Sequence, residues 1–504
     1  MSSSPVVHLL KSNDPPDERE AALIHQFLDD HRQQLDEMKA LPFPSPALDE
    51  LDHCFQAHLA LLSLIRRMSG ELLSEIFTYV SHERKVGRCR IASPPWFVGH
   101  ICRSWRNAAL SAPLLWRVIT IHEPQTPIIR TIYPLSMIET QIARSGITAL
   151  EIWINLRFRD SKSVDHHKIL LAALLQHSRR WSFCHVRLRG TPAAELESGL
   201  YGMYGKIPRL GKFAFASESF KHGQDHSYLS KAPALRKLIL TDSNLSLPSP
   251  SIPSAPWHQI TYYRAAYTVQ DQFEVLLTAP KLVECDLGFS GESVLPEYAA
   301  GRHAVLPHLR RMTLGQAHES NFLEHVTAGP ALKNLTVRSP YDGVPAFLQR
   351  SSSGQSLFSL FLDDNHNFTT AQEIINGLKQ VPALKTLGLT RGPSDMGKVW
   401  TAMTIADDDA DSTGNLCPRL ISLVCIWKGP HKEIDASFWS MVQSRCDQCQ
   451  EGTTNLGSLC VVGIKTPQNF VESVEQGMVL LPNGLRTYLI GGKGGEAVLK
   501  ELAK

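Results

Sequence analysis

Residues able to hold a metal cluster first at Cys446-x-x-Cys449, with Cys417, Cys460 and His431 in the same stretch. Thiolates and imidazoles so spaced can close a tetrahedral zinc site, but a lone C-x-x-C without a second spaced pair does not specify one. Both thiols therefore read as ordinary cysteines after the helix-like run SFWSMVQSR. The acidic run Asp407, Asp408, Asp409 and Asp411 lacks the glycine and glutamate of a calcium loop and reads as a solvated insertion. Gly491-Gly492-Lys493-Gly494-Gly495 lacks the spacing of a phosphate loop and reads as a turn. Asp165-His166-His167 has no HExxH setting. No nucleophile, base and orienting group are joined by pattern. The expectation is a chain that is not an enzyme, with no metal and no cofactor; an α/β enzyme built on the C-terminal Cys/His region is the reading set aside.

Composition narrows the remaining classes. With 504 residues and 43% of them hydrophobic, the chain can build two or more globular units. A formal net charge of +2 sets up no field that draws the whole chain to nucleic acid or an anionic membrane. No DNA-reading helix, RNA-stacking motif or zinc-finger spacing is present. The opening MSSSPVVHLLKSNDPPDERE lacks the basic start, apolar core and cleavage site of a signal peptide, and no later run is long and apolar enough for a bilayer. Ten scattered cysteines suit reduced thiols. Cytoplasm or nucleus is the expected location.

The elements to be positioned are apolar helix faces. In segment 70–80 Leu72, Leu73, Ile76, Phe77 and Val80 recur at helical spacing, and segment 100–119 repeats the device with Ile101, Cys102, Trp105, Ala109, Leu115 and Trp116. Three short helices cannot bury that much apolar surface among themselves, so part of it is expected to dock on a partner; taken helix by helix, the same stripes read as core. The order Glu71-Leu72-Leu73-Ser74-Glu75-Ile76-Phe77, then a loop, then Ile101-Cys102-Arg103-Ser104-Trp105-Arg106-Asn107-Ala108-Ala109-Leu110-Ser111-Ala112-Pro113-Leu114-Leu115-Trp116 resembles an F-box, in the form common in mushroom-type (basidiomycete) fungi. The resemblance implies docking on a Skp-type adaptor, and through it on a cullin-RING ubiquitin ligase, while the rest of the chain holds a protein substrate. It would place Met68, Leu72, Leu73, Ile76, Phe77, Val80, Ile101, Cys102, Trp105, Leu115 and Trp116 at or beneath the adaptor-binding face. Met68-Ser69 stands where the family has Leu-Pro, which removes a helix-starting proline; Ser69 can cap instead, and Glu71 suits the positive helix end. Cys102 reads as a small buried hydrophobe.

Upstream, residues 1–18 are polar and expected to be disordered. A helix from Glu18 carries Ile24, Phe27, Leu28, His31, Leu35 and Met38 on one side and stops at the proline cluster of 41–46. A second, from Ala47, carries Leu48, Leu51, Phe55, His58, Leu62 and Ile65 in a heptad-like seam. The pair fits a hairpin, or a coiled coil with another chain. The basic loop 81–95 reads as solvated.

Downstream, Pro-x-apolar-x-x-apolar-x-apolar recurs at Pro208/Leu210/Phe213/Phe215, Pro233/Leu235/Leu238/Leu240, Pro280/Leu282/Cys285/Leu287, Pro307/Leu309/Met312/Leu314, Pro330/Leu332/Leu335/Val337, Pro382/Leu384/Leu387/Leu389 and Pro418/Leu420/Leu423/Cys425. Related patterns sit at Leu150/Ile152/Ile154, Phe183/Val186/Leu188, Ile260/Tyr262, Leu357/Leu360/Leu362 and Leu459/Val461. Such a repeat is the signature of leucine-rich repeats, each supplying one short parallel strand and a returning segment. Segments 169–176, 272–277, 322–326 and 371–378 fit convex helices. The asparagine of regular repeats is mostly missing, so the solenoid is expected to be irregular. Residues flanking the inward positions would form a concave face for a protein target, among them Lys237, Thr241, Asp286, Arg311, Thr313, Thr336, Arg338, Phe361 and Asp363. The expected fold class is α/β: a disordered start (1–18), a helical hairpin (19–64), an all-α F-box (65–120), an irregular leucine-rich-repeat solenoid (121–470) and a C-terminal cap or tail (471–504). A repeat-based scaffold with a degenerate F-box and no ligase role stays open beside the substrate-receptor reading.

Overall fold

A computed structural model describes residues 4–40, 46–83, 95–122, 134–157, 162–190, 193–217, 227–242, 254–289, 295, 301–315, 322–338, 343–363, 370–390, 395–405, 415–427, 436–447, 456, 458–463 and 486–491. The chain divides into two compact units, Met1–Leu156 and Arg157–Lys504. Among the described residues no helix is long and apolar enough to cross a membrane.

The first unit opens with α1 (Val7–Leu10), α2 (Glu18–Lys39) and α3 (Pro46–Leu61). Asp17 and Glu20 start α2 with a reciprocal capping box, each side chain accepting the other's backbone N–H. Ile24, Phe27, Leu28 and Leu35 of α2 are buried with Phe55 and Leu61 around α3, so the apolar stripes close on each other within the chain. His58 is fully buried and satisfied: Nε2 lies 2.8 Å from Ser4 Oγ, Nδ1 lies 2.8 Å from the Cys54 carbonyl, and the ring stacks on Phe27. The expected disorder of 1–18 is overturned for its described part. Val6 and Leu9 complete the hairpin core, and Arg66 donates to the carbonyls of Leu9, Ser12 and Asp14. Two apolar side chains and a cation 50 residues or more away supply anchoring that the polar composition conceals. The heptad seam also ends early, because α3 stops at Leu61 and Ile65 is exposed.

Next come α4 (Gly70–Glu83), α5 (Arg103–Leu110), a tight turn Pro113–Trp116, β1 (Val118–His122), α6 (Leu135–Arg144) and β2 (Leu150–Arg157). Leu73, Phe77, Val98, Ala108, Ala109, Ala112, Leu115 and Trp116 form one core. β1 and β2 pair in parallel, from Val118 with Glu151 to His122 with Asn155. The expected boundary after residue 120 therefore does not coincide with the edge of the compact unit. Gln141 of α6 donates to the Val118 carbonyl at 2.6 Å, and Arg144 lies over the Trp116 ring at 4.5 Å, so α6 holds β1 to the α4–α5 core. Strand β1 has no preceding proline motif and is not foreshadowed.

The second unit contains α7 (Lys162–Leu175), β3 (Trp181–Arg189), α8 (Ala193–Gly199), β4 (Lys212–Ser217), β5 (Lys237–Asp242), β6 (Tyr262–Tyr267), α9 (Val269–Thr278), β7 (Glu284–Phe289), β8 (Ala304–Leu306), β9 (Arg311–Leu314), β10 (Val326–Ala328), β11 (Asn334–Val337) and α10 (Val344–Arg350). It continues with β12 (Ser359–Asp363), α11 (Ala371–Lys379), β13 (Thr386–Thr390), α12 (Met396–Met403), β14 (Ser422–Trp427), α13 (Ala436–Asp447), β15 (Ser458–Gly463) and β16 (Arg486–Gly491). From β3 on, every strand except β8 and β10 pairs with the next in chain order and in parallel; β8 and β10 form a small parallel pair of their own. The unit is thus α/β with a parallel sheet built by successive returns of the chain.

Each proline motif lands on a strand in the expected phase: Leu238 and Leu240, Cys285 and Leu287, Met312 and Leu314, and Leu335 and Val337 are buried while their neighbours are not. Two of the weaker patterns each misplace one member by one residue, while Val186, Leu188 and Ile260 are buried as expected. In β3 the buried series is Trp181, Cys184, Val186 and Leu188, leaving Phe183 on the other face; around β6 it is Ile260, Tyr263 and Ala265, leaving Tyr262 there. Trp, Cys and Tyr fill leucine positions in these turns, which hides them from a leucine search. β16 lies in the segment expected to be a cap or tail, yet it extends the ladder through Leu459–Thr487 and Val461–Leu489.

Candidate functional site

In the first unit, α4 presents two apolar stripes in adjacent phases. Leu73 and Phe77 turn into the core at 1% and 3% exposure, whereas Leu72 and Ile76 remain 57% and 40% exposed, with Tyr79 continuing the same side at the next turn. Ile101, before α5, is 47% exposed. Ser69 Oγ accepts the Leu72 N–H at 3.4 Å, and a hydrogen bond with Ser69 lowers the pKa of Glu71, so the start of α4 is capped without a proline.

Of the residues expected at or beneath a docking face, Leu72, Ile76 and Ile101 are available at the surface. Met68, Val80, Cys102 and Trp105 are half-buried. Leu73, Phe77, Leu115 and Trp116 are core and can only support such a face. Trp116 donates Nε1–H to the Ala109 carbonyl at 2.7 Å and meets Trp96 edge-on; Trp105 packs on Phe77 with centroids 4.8 Å apart. Cys102 is not the buried hydrophobe expected: it is the N-cap of α5, its Sγ accepting the Trp105 N–H at 3.4 Å. Leu110, Leu114 and Tyr79 are also exposed, although none of them is among the residues expected at the docking face. Helical period identifies both stripes, but only the packed core decides which one faces water.

In the second unit, the strand positions between the buried ones line up across the sheet. One row runs Lys237, Tyr262, Glu284, Arg311 and Asn334, and the next Ile239, Arg264, Asp286, Thr313, Thr336 and Phe361. Arg264 pairs with Asp286 at 3.1 Å and Arg311 with Glu284 at 3.4 Å, both half-exposed, so they orient side chains more than they stabilise the fold. Nearer β3, burial first and then the positive Arg187 and Lys212 hold His185 below its ordinary pKa. Lys237 and Arg338 are exposed; Thr241, Asp286, Arg311, Thr313, Thr336 and Asp363 are half-buried.

Phe361 departs from the expected role. It is 8% exposed, and its ring lies over Gly388 of the neighbouring strand, where a Cβ would fall 2.0 Å from the ring. In β12, β13 and the described part of β14, residues on both faces are largely buried: Leu360 to Leu362, Leu387 to Thr390, and Leu423 to Cys425. The polar alternate face therefore ends at β11.

The cysteine region assembles around an arginine. Arg445 of α13 is fully buried and donates to the carbonyls of Met403, Leu416 and Cys417. Cys417 is buried among backbone carbonyls, which pushes its thiol up to about 12. Cys446 donates to the Leu456 carbonyl. His431, Cys449, Asp407, Asp408, Asp409, Asp411 and most of the glycine run after Gly491 lie outside the described residues, as does the basic segment 84–94. Among the described residues no group of three or more His, Cys, Asp or Glu side chains is placed to hold a metal.

Compared with known proteins, the chain matches no protein-family model and no curated protein.

Proposed function

We propose that this chain is a non-catalytic substrate receptor. Residues 65–120 act as an F-box that docks a Skp-type adaptor, and through it a cullin-RING ubiquitin ligase, while the second unit, an irregular leucine-rich-repeat solenoid, holds a target protein. Catalysis occurs on other subunits, and this chain contributes proximity. An assignment to cytoplasm or nucleus belongs to the same proposal.

The observation that carries it is the exposed stripe of α4. The core beneath is already closed by Leu73, Phe77, Leu115 and Trp116, yet Leu72 and Ile76 stay in water. Covering two such side chains is worth about 1.5–3 kcal/mol each. The repeat reading is supported by strands that pair in chain order, with a buried triplet of the same spacing at β3 to β7, β9 and β11 to β14. A scaffold without adaptor rests on Met68-Ser69, and the Ser69 contact to Leu72 weighs against it.

The test is co-purification with the Skp-type adaptor of the source organism, using wild type, Leu72→Asp and Ile76→Asp. Both positions are exposed, so both variants should keep the wild-type circular dichroism and melting curve while losing the adaptor. A wild type that does not bind hands the chain to the scaffold reading.

A further inference from the structure

We propose that the edge of the second unit at which the strands begin docks an acidic, apolar-studded segment of the protein that this unit holds. This rests on the reading of the second unit as a target-holding surface and adds the chemistry of the target.

Just before the strands, one residue of each turn joins a continuous backbone ladder. The N–H of Lys333 bonds to Arg310 O at 2.9 Å, Phe358 to Lys333 at 2.8 Å, Lys385 to Phe358 at 3.0 Å and Ile421 to Lys385 at 2.9 Å. These five residues therefore stand side by side, about 4.8 Å apart from strand to strand. All five are exposed, Phe358 at 47% and Ile421 at 38%. The row reads cation, cation, aromatic, cation, aliphatic. Arg310, Lys333 and Lys385 form no ion pair among the described residues, and Lys385 sits 5.6 Å from the Phe358 ring centroid. Farther along the same ladder stands exposed Arg236.

Several of the returning helices suit a cationic edge at the strand starts. Every strand is parallel, so each helix returns the chain: helix starts lie toward the strand ends and helix ends toward the strand starts. Acids gather in the first turns, with Asp165 in α7, Asp271 in α9 and Glu373 in α11, and Lys379 ends α11. The near-neutral total of +2 conceals this separation. Three cations, with Phe358 between the second and third and Ile421 after the third, match carboxylates interspersed with apolar residues. Arg310 to Ile421 spans about 19 Å, the length of about six extended residues. A single-stranded nucleic acid would meet the charge but find one aromatic ring where a stacking series is needed.

The experiment is fluorescence anisotropy on the full chain with a fluorescein-labelled peptide Glu-Leu-Glu-Glu-Phe-Glu. Wild type should bind, with affinity falling as salt rises. Reversing the row with R310E, K333E and K385E together should weaken binding at least about 30-fold, since three exposed pairs become three repulsions. Phe358→Ala with Ile421→Ala should also weaken it. Equal binding by the charge-reversed chain, equal binding of a Lys-for-Glu peptide, salt-independent binding, or tighter binding of oligothymidine would each overturn the proposal. Should the triple variant fail to fold, Lys333→Gln and the wild-type salt titration carry the decision. Adaptor co-purification of the triple variant should be unchanged, and Leu72→Asp should leave the anisotropy unchanged, so failure of either reading shows separately.

Discussion

Arg445→Met removes a guanidinium that ties the end of α12, the turn before β14 and α13 together. Arg445 makes three charge-assisted bonds, to Met403, Cys417 and Leu416, in a site closed to water. Each such bond is worth about 1.5–3 kcal/mol net, and an abandoned buried carbonyl costs about 1–3 kcal/mol. Methionine refills much of the volume, and relief from burying the cation, which already depresses the Arg445 pKa, returns part of the loss. A net loss of about 3 kcal/mol remains. Cys417 adds to it, because its φ of 48° is the left-handed region that a side chain occupies only when held there. The chain has two units, so global unfolding is the wrong readout; native-state hydrogen exchange reports the local opening. Amides of α13 and of residues 416–420 should exchange on the order of 100-fold faster, the equivalent of that energy. Amides of α2 should not change. Arg445→Lys should fall between, since a single ammonium cannot match a planar fork facing three acceptors. Protection of α13 within about threefold of wild type would refute the assignment of that anchoring to Arg445.

Gly388→Ala should destabilise β12 and β13 by about 1–3 kcal/mol, measured by exchange of their amides, because its Cβ collides with the Phe361 ring; Phe361→Ala in the same chain should recover part of the loss. Cys102→Ser should keep or raise the melting temperature, as an oxygen replaces a sulfur as the cap of α5, while Cys102→Ala should cost about 1 kcal/mol. In the folded chain Cys184, Cys285 and Cys417 should resist iodoacetamide near neutral pH, because burial raises all three thiols and leaves no thiolate, and among the described cysteines mass spectrometry should find label first at Cys54, Cys102 and Cys446.

What the linear chain determines is period and phase. Leu235, Leu238 and Leu240 at their fixed spacing can be buried together only if the chain extends there, and repetition of that triplet allows each strand to shelter the next, so strand order follows from sequence. The same logic finds the apolar faces of α2, α3, α4 and α5. Tertiary structure decides which of two adjacent apolar stripes is core, because burial depends on what lies opposite: Phe77 meets Trp105, and Leu72 meets water. It decides that Phe361, on a nominally open face, is covered, and that polar residues 4–18 are pinned by Arg66. It alone brings Met403, Leu416 and Cys417 around Arg445, since contacts between residues 28 to 42 positions apart leave no mark in local pattern. The cationic row is of the same kind: Arg310, Lys333 and Lys385 are unremarkable singly, and become a surface only when parallel strands set them side by side.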